Sequence, residues 1–394
     1  ASMNDIFSHP APAPAGLTVG VDASRNRSGG AIAHIKGLMS GGDPRSHGIS
    51  TVHLWAHDGL LDAVDDQPWL VKHPVPATRR SIISQMMWQR FELPALARRL
   101  GVQALFNTDA GSVCTFSPSV TLSQDMLSFE PGEINRYPWP SRARIRLELL
   151  RFIQLNRLKK STVALFLTEH ARRVISELTQ LKASSVVAHG IDARFFEAAS
   201  GRRVFPDSGP IQCLYVSNAA PYKHQWQVVE AIARLRAQTG VDLRLRLVGG
   251  GSGPAMGRLE ASIAEYDPSR AFVVQDAFIA NSGIVDALRS ADLFIFASSC
   301  ENLPITLLEA MASGLPIASS DRGPMPEVLG ADGFYFDPER SDTIAAAVQR
   351  LVSERLAREH SARSGRERAT QYTWARCADE SWRLLASIAE KKAR

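Results

Sequence analysis

Two glutamates, Glu301 and Glu309, stand eight residues apart in the segment DLFIFASSCENLPITLLEAMASGLPIASS (292–320). The apolar run ending at Ala297 reads as a strand, Glu301 falls in the loop after it, and Pro304 sits where a first-turn proline is tolerated. The helix that follows carries Glu309 and Met311 and stops at Gly314, a residue suited to the left-handed position beyond a helix end. One carboxylate thus precedes a helix N-terminus and the other lies well inside the helix. Between them, free amides expected at Asn302, Leu303, Ile305 and Thr306 make an anion site through backbone donors and the helix dipole. A carboxylate on either side of a held diphosphate can grip hydroxyls. A nucleotide sugar has that layout: hexose, diphosphate, ribose diol.

The elements that must position these groups follow from the rest of the chain. Its 394 residues, 45% of them apolar, suit two domains better than one oversized core. The composition is not that of a disordered, collagenous or coiled-coil chain. No apolar run approaches the ~18 residues that would cross a bilayer as a helix. Cys114, Cys213, Cys300 and Cys377 lie far apart with no C-x-x-C, so neither a zinc cluster nor a disulfide framework is expected, and the implied compartment is reducing, the cytoplasm. The stretch ASMNDIFSHPAPAPA (1–15) lacks the basic start and apolar core of a signal peptide and reads as a flexible leader.

Short apolar runs alternate with amphipathic stretches almost end to end. Strands are expected at 17–22, 50–55, 103–106, 119–123, 162–167 and 185–188, with helices at 28–39, 79–99, 141–160 and 169–181. In the second half, strands at 211–217, 243–249, 271–275, 292–297, 315–320 and 333–336 bracket helices near 223–239, 254–265, 282–290, 304–313 and 341–358. Such alternation, with continuously apolar strands, means parallel sheets covered on both faces. The expected fold is α/β, with Rossmann-like domains over 16–200 and 206–372, a cleft between them as ligand site, and a C-terminal helix over 373–394.

At the glutamate segment the chain resembles a known family. ENLPITLLEAMASGLP (301–316) is similar to the E-x7-E signature of retaining glycosyltransferases of the GT-B fold, family 4. The resemblance implies that Glu301 contacts the donor hexose and Glu309 the nucleotide ribose. YVSNAAPYKHQWQVVEAI (215–232) resembles the strand–loop–helix that brings a lysine, here Lys223, to the diphosphate. RLVGGGSG (246–253) resembles the glycine turn under the nucleotide, with Gly249, and the base-binding loop falls on DAFI (276–279), with Phe278 and Ile279. YTWARCADESWRLL (372–385) looks like the tail helix that crosses back to the first domain, and VVAHGID, with His189, resembles the domain-junction segment, which makes His189 structural and not a ligand. The resemblance also sets Gly29 and Gly30 against donor phosphate and acceptor.

Two positions depart from the pattern. Asn218 stands where many members carry an arginine, and in VTLSQDML (120–127) Gln124 stands where many carry a histidine. Glutamine cannot titrate, so Gln124 can orient hydroxyls but not act as a base, while the adjacent Asp125 could accept a proton. With no D-x-D at a strand end, metal-independent transfer without a cofactor is expected. Charge on the departing diphosphate, from a UDP- or GDP-linked hexose, is then met by Lys223 and helix amides. Retention is implied by the resemblance, by front-face attack of an acceptor hydroxyl. The rival readings are a nucleotide-sugar epimerase or a phosphorylase on this scaffold, and a non-catalytic sugar-nucleotide-binding module.

Charge is concentrated in one place. The net charge is only +5, yet RARIRLELLRFIQLNRLKK (142–160) holds seven basic residues and one acidic. Ile145, Leu149, Phe152 and Ile153 recur there at helical spacing among Arg142, Arg144, Arg146 and Arg151, with Tyr137 and Trp139 just ahead. That pattern suits the surface of an anionic membrane, and equally a core-facing helix with a solvated basic face. The membrane reading makes the acceptor a lipid-linked saccharide, in polysaccharide or glycolipid biosynthesis, and the protein peripheral on the inner face of the membrane. No helix-turn-helix, zinc finger or RNA-binding signature accompanies the charge, so nucleic acid is not an expected partner.

Overall fold

A computed structural model describes residues 16–76, 81–277 and 279–393. The expected leader, 1–15, lies outside the described residues. Among the described residues thirteen strands form two sheets. The first contains β1 (Leu17–Asp22), β2 (Ile49–Ala56), β3 (Leu70–Pro74), β4 (Ala104–Asn107), β5 (Ser119–Leu122), β6 (Val163–Phe166) and β7 (Ser184–Val186), in the order β3-β2-β1-β4-β5-β6-β7. The second contains β8 (Ile211–Val216), β9 (Leu243–Val248), β10 (Val273–Asp276), β11 (Leu293–Phe296), β12 (Ile317–Ser320) and β13 (Phe334–Phe336), in the order β10-β9-β8-β11-β12-β13. The pairings of β1 with β2 and β4, and of β8 with β9 and β11, are parallel. The two-sheet α/β architecture expected from the sequence is the one observed.

The central strands are apolar because both faces are covered: every residue of β4, β5, β6, β11 and β12 is buried. Strand β3 (LVKHP) escapes the pattern rule. It lies at a sheet edge, has no fully buried residue and ends in Pro74, as edge strands tolerate. Two expected helices are broken. The stretch 341–358 becomes Ser341–Ser353 and Arg355–Ala369, parted at Glu354, whose ψ of 75° is not helical. The stretch 79–99, as far as it is described, becomes Ile82–Met87 and Leu93–Arg99, joined by a π turn at Trp88–Glu92.

Sheet membership and compactness divide the chain differently. One compact unit holds the described residues up to Thr108, with 112–120 and the chain from Ala378 on; the other holds 109–111 and 121–377. The first unit packs Trp55, Trp88, Leu105 and Phe116 into one core cluster. The final helix, Trp374–Ala393, joins this unit from Ala378 onward. There Trp382 is fully buried edge-on to Trp69, 6.1 Å between ring centroids, and His47 Nε2 meets Asp379 Oδ1 at 2.8 Å.

In the second unit, β6 and β7 are tied to the second-sheet half of the chain by polar contacts. The Glu327 carboxylate accepts from the amides of Glu169 and His170, each at 2.8 Å. His189 stacks obliquely on Trp374, and the Trp374 amide passes so close to Gly190 that a Cβ there would lie 2.2 Å from it.

Trp382→Ala empties the largest side chain from the tail contact. We expect a loss of about 3–5 kcal/mol in chemical denaturation, the range for deleting a buried aromatic. A loss under about 1 kcal/mol would mean that the tail helix does not stabilise the first unit.

Candidate functional site

In the second sheet the strand order reverses between β8 and β11, and ligands of open parallel sheets bind beyond the strand ends at such a point. Here the loops leaving β8 and β11 converge on a cavity of about 420 Å³, within the range of small-molecule sites. Nine of the residues singled out from the sequence line it: Asn218, Lys223, Gly249, Ile279, Glu301, Leu303, Ile305, Thr306 and Glu309. Phe278 lies outside the described residues.

The β8 loop brings Lys223, the β11 loop Glu301, and the two form an ion pair that is largely screened from solvent. The ammonium also lies 5.2 Å from the Tyr222 ring centroid and 5.8 Å from that of Phe296. Its backbone is pinned from three sides. Tyr215 donates its hydroxyl to the Lys223 carbonyl at 2.7 Å, and the Ser299 amide donates to the Tyr222 carbonyl at 2.9 Å. His224, buried and in the left-handed region at φ 46°, places Nε2 2.8 Å from Ser299 Oγ. Burial, and then the Arg136 charge, push the His224 imidazole down to about 4, so the ring is neutral at ordinary pH. Sequence reasoning missed Tyr215, His224 and Ser299. A left-handed non-glycine residue leaves no sequence signal.

The helix after Glu301 spans Ile305–Ala312. Pro304, expected in its first turn, is instead the cap residue, because its ψ of 85° is not helical. The first intrahelical bond runs from the Leu308 amide to the Pro304 carbonyl at 3.1 Å, so the amides of Ile305 and Thr306 precede it. Glu309 sits further along this helix and lines the same cavity. Burial pushes its carboxyl up to about 8, an effect that Arg194 nearby only partly offsets.

Gly249 ends β9 at φ 135°, where a Cβ would lie 2.1 Å from the Ser217 carbonyl oxygen. Only glycine fits, because the β8 and β9 loops must touch there.

Asn302 and Pro304 stand outside the cavity lining. The Asn302 side-chain Nδ2 donates to the Ser123 carbonyl at 2.7 Å, which brings Ser123 and its neighbours beside the glutamate loop. At that junction Ser123 Oγ, Gln124 Nε2 and Asn302 Oδ1 are buried without a hydrogen-bond partner. Asp125 does not line the cavity; its carboxylate closes its own turn, accepting from the Leu127 amide at 2.9 Å. Gly29 and Gly30 belong to the first unit and open the helix Gly29–Gly41 behind a Ser28 cap. Both are exposed, and a Cβ on either would meet nothing within 4 Å. Among the described residues no cluster of His, Cys, Asp and Glu has the arrangement of a metal site.

Along the basic helix, Arg142–Lys160, the four arginines separate. Arg142 and Arg146 are exposed. Arg144 turns inward, to the Ile134 carbonyl at 2.9 Å and Glu148 at 3.0 Å, and Arg151 is half-buried.

Residues 200–368 match the family described as glycosyl transferases group 1. Among curated proteins, the chain is 30% identical over 201 residues to an MMP α-(1→4)-mannosyltransferase of Mycolicibacterium hassiacum, covering 48% of this chain and 44% of that protein. It is 28% identical over 204 residues to a GDP-mannose-dependent α-(1-6)-phosphatidylinositol dimannoside mannosyltransferase of Mycobacterium tuberculosis, covering 51% of each. The chain thus spans about half the length of the curated relatives it matches. Its fold is similar to that of sucrose-phosphate synthase from Thermosynechococcus elongatus, with a TM-score of 0.74 at 16% identity over 95% of this chain and all of that one. It is also similar to Anabaena HepE, solved with UDP and glucose, with a TM-score of 0.67 at 15% identity over 94% of this chain and 100% of that one.

The Glu309 carboxyl gives a pH test that needs no ligand. Above pH ~4.5 the unfolded chain ionises this group while the native protein keeps it protonated, so native stability falls until about pH 8 and is then level. Glu309→Gln removes that loss. The variant should match the parent near pH 4 and exceed it by up to a few kcal/mol at pH 8.5 in urea denaturation. A gain independent of pH would contradict the raised carboxyl.

Proposed function

From the match of residues 200–368 to the group 1 glycosyl transferases, we propose that this chain is a retaining, metal-independent hexosyltransferase. It moves a hexose from a UDP- or GDP-linked donor to a saccharide acceptor, lipid-linked, in polysaccharide or glycolipid biosynthesis, at the inner face of the membrane. One observation carries the reading: a lysine–glutamate pair beside a helix N-terminus whose leading amides precede the first intrahelical bond, with a second carboxyl lining the same cavity.

In this account the diphosphate lies against the amides of Ile305 and Thr306 and competes for the Lys223 ammonium. Glu301, released from the pair, accepts a hexose hydroxyl, and Glu309 takes the ribose diol. The loss of the leaving group builds negative charge where the lysine and helix dipole already point, so stabilisation needs little reorganisation. Asn218 supplies a neutral hydrogen bond where an arginine would supply charge. The acceptor hydroxyl attacks on the face the diphosphate leaves, and its proton passes to the departing phosphate oxygen, which makes a strong protein base unnecessary. Asp125, committed to its own turn, is not assigned as that base. The unpartnered polar atoms of Ser123, Gln124 and Asn302 favour a hydroxylated group beside Glu301, since buried polar atoms seek partners.

Release of GDP from GDP-mannose and of UDP from UDP-glucose, with and without added acceptor glycolipid, tests the reading. Glu301→Ala is expected to abolish turnover, Lys223→Ala to lower kcat by about 10²–10³, and Glu309→Ala chiefly to raise the donor KM. Product anomers read by NMR should keep the donor configuration. Near-normal transfer by the Glu301 and Lys223 variants would overturn the assignment, and donor binding without any turnover would make the protein a binding module.

A further inference from the structure

The large apolar side chains of the helix Arg142–Lys160 divide: Leu147 and Leu158 are buried and Leu150, Ile153 and Leu155 half-buried, yet Ile145 is 49%, Leu149 58% and Phe152 71% exposed. These three recur at i, i+4 and i+7 and so form one ridge along the helix. Trp139, just ahead of the helix, is 70% exposed. The charges beside the ridge are of one sign. Arg142, Arg146, Lys159 and Lys160 are all exposed. The helix's single acid, Glu148, is spent on Arg144. The helix therefore buries one apolar side and also shows a second apolar ridge to solvent, which a solvated basic face alone would not carry.

We propose that this ridge is a docking surface for an anionic lipid bilayer, with Phe152, Leu149 and Trp139 seated among the acyl chains' outer ends and the four cations on the headgroups. The charge argues for lipid over a second copy of the chain, since two such ridges face to face would oppose arginine to arginine. Among the described residues no helix is long and apolar enough to cross a membrane, so the contact is one of surface, not span. Amphipathic helices with basic flanks bind in this way, and aromatic side chains favour the interface. The surface rests on the proposed lipid-linked acceptor for its purpose, since it would hold the enzyme where such an acceptor lies. Its geometry stands without that reading.

Flotation with phosphatidylcholine vesicles, with and without phosphatidylglycerol, tests it on the full chain. Binding should require phosphatidylglycerol, weaken with salt, and shift Trp139 emission to the blue, the other tryptophans being buried or half-buried. Leu149→Ser with Phe152→Ser should lose at least tenfold in vesicle affinity. Arg142→Glu with Arg146→Glu should lose roughly fivefold or more per charge. Arg144→Gln, whose side chain turns inward, should change binding little. The Leu149–Phe152 and Arg142–Arg146 variants should keep the parent's denaturation midpoint and its release of GDP or UDP from soluble donor, so a failed flotation is distinguished from a failed enzyme assignment. Equal binding to neutral vesicles, no binding at all, or a dimer in sedimentation velocity that the Leu149–Phe152 variant dissolves would each overturn the proposal.

Discussion

A cation and an anion are held together at the point where β8 and β11 diverge, and the remainder of the site is built around keeping them there. Lys223 and Glu301 arrive on separate loops, 78 residues apart in sequence. Unlike charges partly removed from water stabilise each other only when their geometry is fixed. The fixing is done by backbone contacts: the Ser299 amide to the Tyr222 carbonyl, and the Tyr215 hydroxyl to that of Lys223. His224 completes the arrangement at the cost of a left-handed backbone, the kind of local strain that a surrounding structure must hold in place. An anion entering this site meets a lysine already aimed and amides already unpaired.

Glu309 shows the opposite side of the same design. A carboxyl raised to about 8 is a destabilising residue above its ordinary range, and it stands beside a cavity. The unpartnered atoms of Ser123, Gln124 and Asn302 carry the same message at the other end. Both features are costs of folding that a bound polyhydroxylated molecule would offset.

Much of the second half was legible in the sequence because its rules are local. All six of its strands were visible as apolar runs, and Gly249 and Gly314 occupy positive-φ positions that favour glycine. Glu301, Glu309 and Lys223, each singled out by its motif, line one cavity. What stayed hidden depended on tertiary context. The edge strand β3 is too polar to read, and His224 conceals its backbone state. The break at Glu354 has no proline or glycine to announce it. The basic helix was visible, but which arginines face outward was not: Arg144 turns inward because the Ile134 carbonyl and Glu148 wait there.

The central claim is that one molecule spans the cavity from Glu301 to Glu309 with its diphosphate at the Ile305–Thr306 amides. A crystal structure of the protein soaked with GDP-mannose or UDP-glucose tests it most directly. The account predicts the ribose at Glu309, the diphosphate at Lys223 and those amides, and the hexose at Glu301 with the Lys223–Glu301 contact opened. A nucleotide sugar bound elsewhere, or one reversed so that its hexose meets Glu309, would contradict it.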